Sequence, residues 1–398
     1  MAAPANSVLI VTLPPILGGV TNQARLVAEL LQRRGYAPTL AWRAYFSDRP
    51  ELSVPSWRLG RGRPDVAAVD GAPWPQLAVG SWLPEFEWAH HRAWSPWDRV
   101  IDSHRHHIVV SGNNLPGFGL VERGVPSLQW IASGYRADRV DRFRTLSLPR
   151  RVFDALLNRP VTLAQERRIL ENADTLAISN YTLNALRDLA PRHRVRGRIL
   201  IPVDTGRFRP EGRPSAAGRR LRIGTTGRMS DPRKNCELLI AAFRQVAQQR
   251  NDVDLSIRCD LDRPAFDARF GTADLGERLQ VGLPLPFAKL SDFYRSLDVF
   301  AISSWQEGLL VTGTEAMACG ATVVSTRCGG PEEFVHDGQT GLMSGFHPVD
   351  HATRLLEALD DAAGPRRLSS AGIELVRERF AMTVFEESFL HHFAALHR

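Results

Sequence analysis

One segment in the C-terminal half of this 398-residue chain has the pattern of a strand, a loop, a short helix and a second strand. Residues 298–303 and 321–325 are short apolar runs typical of buried strands. Between them, 308–313 is predicted to be a loop with two glycines, and 314–318 a helix that ends at Gly320. The pattern predicts a crossover unit of a parallel sheet, whose ligand-binding loops lie at the carboxyl ends of the strands.

Two carboxylates in this segment, Glu307 and Glu315, have seven residues between them. Glu307 lies in the predicted loop, and Glu315 lies in the predicted first turn of the helix. Carboxylates accept hydrogen bonds from vicinal hydroxyls, and amides at a helix N-terminus bind phosphates, so the two acids can converge on one polyhydroxy ligand. The spacing alone equally allows a surface glutamate and a solvated glutamate that the helix dipole favours.

Two cations, Arg228 and Lys234, lie between a predicted strand at 221–225 and a predicted helix that starts near Asn235. Arginine can bind two phosphate oxygens and lysine supplies a point charge, so a pair at a strand's carboxyl end can hold a diphosphate. Taken alone, the loop also fits a basic surface turn, in which the adjacent Arg233 is solvated.

The segment that contains the two acids resembles the E-x7-E region of retaining GT-B glycosyltransferases of the family 4 type, the glycosyl transferases group 1. The positions that match the family pattern are Glu307, Gly308, Glu315, Ala316, Met317, Ala318, Gly320, Gly329, Gly330 and Glu333. The spacing from Arg228 to Lys234, after Gly227, matches the family as well. The resemblance is strong over 221–335 and covers the N-terminal half in outline.

The resemblance implies an α/β chain with the GT-B fold, in which two Rossmann-like domains face a central cleft. The N-terminal acceptor domain is expected at 1–205 and the C-terminal donor domain at 206–381. A last helix, at about 382–398, is expected to pack back on the N-terminal domain. The basic stretch 194–218 contains glycine and proline, which suits a linker between the domains.

The resemblance also implies roles for particular residues. Arg228 and Lys234 hold the diphosphate and stabilise the leaving group, and Glu307 binds hydroxyls of the donor sugar; these three form the implied catalytic set. Glu315 binds the ribose. The other implied donor contacts are Gly18, Gly19, Leu283, Leu309, Leu310, Val311, Thr312, Gly329 and Gly330.

The implied reaction transfers a hexose-type sugar from a nucleotide-diphosphate sugar to a hydroxyl acceptor, with retention of the anomeric configuration. The acceptor is a glycan, a glycolipid or a small molecule, and no cofactor is needed beyond the donor substrate. Two alternatives stay open, a non-catalytic accessory subunit of the same fold and a nucleotide-sugar epimerase.

Three departures from the family pattern bear on the donor and on activity. Leu310 replaces the usual glycine or proline on the sugar side, and 258–260 reads Arg-Cys-Asp where the family has Gly-x-Gly near the base. Many relatives have a histidine after a strand like 127–131, and in this chain either Ala132 or Ser133 takes the place of that histidine. The missing histidine and the altered glycines together motivate the accessory-subunit alternative.

The composition favours anionic partners, because the formal net charge is +7 and the pI is about 9.7. No zinc-finger, heptad or RNA-binding aromatic motif accompanies this charge, so nucleic acid is not an expected partner. No apolar run reaches the length of a membrane span, and four cysteines without paired spacing predict reduced thiols. The expected location is the cytoplasm.

A peripheral membrane contact at the inner membrane face is one interpretation of 136–168, where arginines alternate with apolar residues. A pair of helices with a solvated face fits the same pattern. Tryptophans between 74 and 97 suit an acceptor platform or ordinary packing. Four neighbouring residues resemble a metal-ligand set: Asp102, His104, His106 and His107. No metal site is expected there, because this fold type binds diphosphate with Arg and Lys.

Overall fold

Two α/β units make up the chain. The first contains Met1–Ile199 and Glu386–Arg398, and the second contains Leu200–Phe385. The computed structural model describes residues 3–14, 19–70, 73–94, 96–135, 148–211 and 218–396.

An eight-stranded sheet forms the centre of the first unit in the described part of the chain, in the order β3-β4-β2-β1-β5-β6-β7-β8. Neighbouring strands are parallel, except that β3 and β4 are antiparallel. The strands are β1 (Ser7–Thr12), β2 (Ala37–Arg43), β3 (Val66–Val69), β4 (Gln76–Val79), β5 (His106–Ser111), β6 (Leu128–Ile131), β7 (Asp174–Ala177) and β8 (Val195–Arg198).

Helices connect these strands. The first, α1, buries Val27, Leu30 and Leu31, which have the spacing of one helical face. The helices are α1 (Gly19–Arg33), α2 (Trp97–Asp102), α3 (Phe118–Glu122), α4 (Leu148–Phe153), α5 (Arg159–Asn172) and α6 (Asn180–Arg187), with one π-helical turn, Asp154–Asn158, between α4 and α5.

A six-stranded parallel sheet forms the centre of the second unit within the same described ranges, in the order β11-β10-β9-β12-β13-β14. Its strands are β9 (Leu221–Gly227), β10 (Val253–Cys259), β11 (Leu279–Gly282), β12 (Val299–Ile302), β13 (Thr322–Thr326) and β14 (Gly341–Ser344). The helices that follow α6 are α7 (Cys236–Gln249), α8 (Arg263–Phe270), α9 (Phe287–Arg295), α10 (Val311–Ala318), α11 (Pro348–Ala363), α12 (Arg367–Arg379) and α13 (Met382–Ala395).

The strand order of the second sheet reverses at β9. The chain runs from β9 to β10 and β11 on one side and then crosses to β12 on the other side of β9. Loops that leave the carboxyl ends of β9 and β12 therefore diverge to opposite faces and leave a crevice between them, which is where open parallel sheets bind ligands.

The last turns of α13 pack within the first unit. The ring centroid of Phe389 lies 6.4 Å from that of Trp130, and Phe393 lies 5.3 Å from Tyr36. Glu386 accepts a 2.6 Å hydrogen bond from the guanidinium of Arg33.

The apolar run at 198–202 is predicted to be a strand, and this prediction is wrong. The strand β8 ends at Arg198, although the Ile199 amide still donates to the Ala177 carbonyl of β7 at 2.9 Å, and residues 199–202 are buried. The Ile199 carbonyl accepts a 2.9 Å hydrogen bond from the indole of Trp130, and Pro202 has no amide proton to offer a neighbouring strand. The burial of residues 199–202 therefore accounts for the hydrophobic pattern beyond the end of the strand.

A carboxyl group is buried under the loop after β6. Glu166 on α5 is fully buried, and its Oε1 accepts a 2.8 Å hydrogen bond from the Tyr135 amide. Its Oε2 has no hydrogen-bond partner in the described structure. Burial raises the pKa of Glu166 to about 7, although the hydrogen bond from Tyr135 opposes the shift.

The stability of the protein should therefore depend on this carboxyl group. Between pH 4.5, its ordinary pKa, and pH 7, the native state keeps a proton that the unfolded state has lost, so the free energy of unfolding falls as the pH rises. Glu166→Gln removes this dependence. Between pH 5 and pH 8, the free energy of unfolding of the variant should rise by about 2 to 3 kcal/mol relative to that of the wild type.

Urea unfolding of both proteins at the two pH values measures this difference. Glu171→Gln, a half-buried glutamate on the same helix, is the matched control and should show no such gain. An equal effect of Glu166→Gln at pH 5 and pH 8 would show that the buried carboxyl does not titrate in this range.

Candidate active site

An ion pair joins the loops that follow β9 and β12. The ammonium of Lys234 lies 2.7 Å from Oε1 of Glu307, across 73 residues of sequence. The two side chains are only 16% and 14% exposed. Ser304 donates a 2.6 Å hydrogen bond to the same Oε1. The reversal of strand order thus brings together the predicted diphosphate lysine and the predicted sugar glutamate.

The backbone of Glu307 is held by the loop after β13. Its amide donates to the Cys328 carbonyl at 2.8 Å, and its carbonyl accepts from the Gly330 amide at 2.9 Å. Gly329 pairs with it in an isolated bridge and has a φ of 97°, which favours glycine. A Cβ on Gly330 would overlap the backbone of Gly308, so two loops pass one another at a distance that only glycine allows.

The loop before α10 is shorter than predicted. The sequence pattern predicts a loop to residue 313, but the helix begins at Val311, so Glu315 is in its second turn rather than its first. Leu310 turns the chain into the helix with a left-handed φ of 68°, a strained conformation for leucine. Gly313 lies inside the helix, and a Cβ there would lie 2.9 Å from the Phe334 ring, so the packing favours glycine at this position.

The N-terminus of α10 supplies uncompensated donors beside Glu307. Leu310 occupies the capping position and has no side-chain oxygen to accept from the first amides. The hydroxyl oxygen of Thr312 is buried and has no hydrogen-bond partner among the described residues. Amides and a hydroxyl in this arrangement can bind a phosphate or a sugar oxygen. Leu309 is buried beneath them, whereas Leu310 and Val311 are half-buried.

Glu315 lies in a different environment from Glu307. Its side chain is nearly buried, and Oε2 accepts a hydrogen bond from the Tyr294 hydroxyl at 3.2 Å. That hydroxyl also lies 3.4 Å from Thr226 at the end of β9. Burial raises the pKa of Glu315 to about 7, and the hydrogen bond from Tyr294 opposes the shift. The carboxyl can therefore accept or share a proton with a ligand hydroxyl near neutral pH.

Arg228 does not join this cluster directly. Its side chain is 70% exposed, and its guanidinium lies 3.8 Å from Asp231. The neighbouring Arg233, which the sequence pattern allows to be solvated, instead binds Asp231 at 2.8 Å. Asp231 therefore anchors the loop and leaves the Arg228 guanidinium to solvent or to a ligand.

The remaining predicted contacts lie elsewhere. Leu283 follows the end of β11 and is 58% exposed. Gly19 is the first residue of α1 in the other unit. Gly18 lies outside the described residues.

Three residues of the site were missed by the sequence interpretation. Ser304 stands three positions before Glu307, a spacing that could have suggested a loop hydrogen bond. Asp231 lies between Arg228 and Lys234, where an acid could have been expected to bind a neighbouring arginine. Tyr294 carries no such signal, because it reaches Glu315 from another helix.

The thiol beside the site is not suited to nucleophilic catalysis. Burial raises the pKa of Cys328 to about 12, and the nearby Glu307 carboxylate adds to the shift. The thiol therefore stays protonated at neutral pH. All four cysteines are buried free thiols.

The histidines near β5 bind backbone carbonyls. His104 Nδ1 lies 2.8 Å from the Val100 carbonyl, and His107 Nε2 lies 3.1 Å from that of Ile101. Asp102 accepts a 2.7 Å hydrogen bond from Arg123. Across the described ranges, no three His, Cys, Asp or Glu side chains form a metal-binding group.

Two of the tryptophans considered as an acceptor platform pack inside the first unit. Trp74 and Trp97 are buried, and their indoles donate to Gln32 and to the His90 carbonyl. Ordinary packing therefore explains these two side chains.

The structure describes the basic segment 136–168 from residue 148 onward, and 136–147 lies outside the described residues. In the described part of the chain, no helix has the length and the hydropathy needed to cross a bilayer.

Comparison with solved structures identifies the fold. Sucrose-phosphate synthase from Thermosynechococcus elongatus superposes with a TM-score of 0.73 at 19% sequence identity, over 98% of this chain and 99% of that chain. The GT-B fold predicted from the sequence is confirmed.

Comparison of sequences finds a family likeness within the second unit. Residues 220–361 match the family described as glycosyl transferases group 1, which confirms the resemblance over that range. A D-inositol 3-phosphate glycosyltransferase of an Arthrobacter species is 29% identical over 181 residues, which cover 42% of this chain and 41% of that protein. A GDP-mannose-dependent alpha-(1-6)-phosphatidylinositol monomannoside mannosyltransferase of Mycolicibacterium smegmatis is 31% identical over 236 residues, 54% of this chain and 59% of that protein. The chain thus spans about half the length of these curated relatives.

Proposed function

We propose that this protein is a retaining glycosyltransferase that moves a hexose-type sugar from a nucleotide-diphosphate sugar to a hydroxyl acceptor. The observation that carries the proposal is the Lys234–Glu307 pair at the reversal of strand order, next to the N-terminus of α10. A cation for the diphosphate and a carboxylate for sugar hydroxyls stand side by side, as a nucleotide sugar requires. The names of the two relatives, a glycosyltransferase and a mannosyltransferase, support a hexose donor.

The proposed reaction needs no nucleophilic side chain. The acceptor hydroxyl oxygen bonds to the anomeric carbon on the face from which the diphosphate leaves, and the bond from that carbon to the phosphate oxygen breaks. The departing phosphate oxygen takes the hydroxyl proton. Lys234 and the exposed guanidinium of Arg228 neutralise the negative charge that develops on the diphosphate, while Glu307 orients the sugar. The first unit is the proposed acceptor domain.

Removal of either cation should slow turnover. Lys234→Ala and Arg228→Ala should each reduce the release of nucleoside diphosphate by at least about a hundredfold, the scale of the loss of one preorganised charged donor. A panel of nucleotide sugars with the acceptor pool of an extract provides the assay. Arg244→Ala, which removes a half-buried arginine bound to Asp274 on the same unit, is the matched control.

Excess EDTA is present throughout this assay, because we propose that the two cations and the α10 amides stabilise the leaving diphosphate without a metal. Wild-type turnover should persist. Two results would contradict the proposal: near wild-type turnover in both cation variants, or a complete loss in EDTA that Mg²⁺ or Mn²⁺ restores.

The two glutamates should have separable effects. Glu315→Ala should weaken nucleoside diphosphate binding by about tenfold or more, because we assign it to the ribose. Glu307→Ala should leave that affinity nearly unchanged and damage transfer, because we assign it to the sugar. Calorimetric titration with nucleoside diphosphates and the release assay measure the two effects. Equal losses of diphosphate affinity in both variants would show that the assignment is wrong.

We also propose a peripheral contact of the first unit with an anionic membrane surface. The helical stretch from α4 to α5 exposes apolar side chains about one turn apart, and Arg159 among them is exposed. Buried apolar area together with basic residues favours binding of a helix in the plane of a lipid surface. The exposed apolar residues are Leu148, Val152, Leu156, Leu157 and Val161.

Co-sedimentation with phosphatidylglycerol vesicles tests this contact. Leu156→Asp should lower the association constant for the vesicles by about tenfold, because it removes a leucine that would be buried in the lipid surface and adds a negative charge. Leu59→Asp is the matched control, because Leu59 is an exposed leucine elsewhere in the first unit. Equal binding of the wild type and Leu156→Asp would contradict the membrane contact.

A further inference from the structure

An arginine without a hydrogen-bond acceptor lies at the carboxyl end of β10. Arg258 pairs in register with Gly282 of β11, and its Nη1 lies over the space that a Gly282 side chain would fill. Its guanidinium carbon lies 5.6 Å from the centroid of the Phe293 ring. The aromatic ring and the bare glycine backbone therefore fix the plane of the guanidinium.

The hydrogen-bonding capacity of Arg258 is unused. Its Nε is buried without a partner, and no described carboxylate or carbonyl accepts from its terminal nitrogens. Arginines at the opposite, amino ends of these strands are paired: Arg219 with Asp298 and Arg220 with Asp254. A half-buried cation with unused donors costs free energy unless another molecule supplies acceptors.

The position of Arg258 relative to the ion pair indicates which molecule that is. In the sheet, β10 lies on one side of β9 and β12 lies on the other. If the diphosphate binds Lys234 and the sugar lies toward Glu307 beyond β12, the nucleoside extends the opposite way, over β10 and β11. Phe293, which supports Arg258, adjoins Tyr294, the partner of Glu315. This step rests on the proposed function.

We infer that Arg258 recognises the base of the donor and that the base is guanine. A guanidinium presents parallel donors, and guanine is the base whose major-groove edge presents two adjacent acceptors, O6 and N7. Adenine places a donor beside N7, and uracil has one acceptor, O4, on the equivalent edge. Gly282 lets the guanidinium lie against the backbone of β11, and the exposed Leu283 beside it offers an apolar surface. The donor class is thus a guanosine-diphosphate sugar.

Calorimetric titration of the wild type with GDP, UDP, ADP and 7-deaza-GDP tests this inference. GDP should bind at least about tenfold more tightly than the other three, because each of these lacks one of the two acceptors. Arg258→Gly should lower GDP affinity about ten- to a hundredfold and leave UDP affinity within twofold. Arg258→Lys keeps the charge without the planar fork and should also lose the preference for GDP over 7-deaza-GDP.

Arg220→Lys is the matched control, since this arginine lies at the amino end of the same sheet and should not affect any nucleotide. Tighter binding of UDP or ADP than of GDP, or unchanged GDP affinity in Arg258→Gly, would overturn the assignment and leave the proposed glycosyltransferase function standing. Failure of the wild type to bind any nucleoside diphosphate would overturn both. Lys234→Ala distinguishes the diphosphate site from base recognition by Arg258, because it should weaken the binding of all four nucleotides equally.

Discussion

The reversal of strand order at β9 is the constraint on which the candidate site depends. Because β10 and β12 flank β9, the segments after β9 and β12 meet although Lys234 and Glu307 are 73 residues apart. An ion pair with two largely buried members is costly to assemble, since both charges lose water. Ser304 offsets part of this cost with a hydrogen bond to Glu307. A pair held in this way is preorganised for a charged ligand that can replace the lost water.

The backbone beneath the pair is packed closely enough to limit its movement. Gly330 lets one loop pass against Gly308 of the other, and Gly313 lets α10 approach Phe334. Leu310 holds a left-handed conformation between them. Strained residues of this kind persist only where the surrounding structure over-determines them, and they concentrate at functional sites. The same packing places the uncapped end of α10 next to Glu307.

Two glutamates with seven residues between them end in opposite electrostatic environments. Glu307 faces an ammonium group, whereas Glu315 is buried against the Tyr294 hydroxyl, with its pKa raised to about 7 by burial. The first is paired with a cation, and the second is close to its pKa at neutral pH. Such a difference allows neighbouring acids to contact different parts of one ligand. At the carboxyl end of β10, on the other side of β9, Arg258 adds a cation whose donors no described residue uses.

The sequence by itself determined the parallel α/β architecture and pointed to the main candidate site residues. Apolar runs of strand length, glycines at the turns and the spacing of Glu307, Glu315, Arg228 and Lys234 are local patterns, and local patterns depend only on near neighbours along the chain. Tertiary structure alone decided the start of α10, the end of β8 and the partners of each charge. Phe334 packs closely against Gly313 of the helix, and Trp130 donates to the carbonyl that follows β8. Burial against distant residues sets the pKa of Glu315 and leaves Arg258 without an acceptor, because both depend on elements that are far apart in sequence.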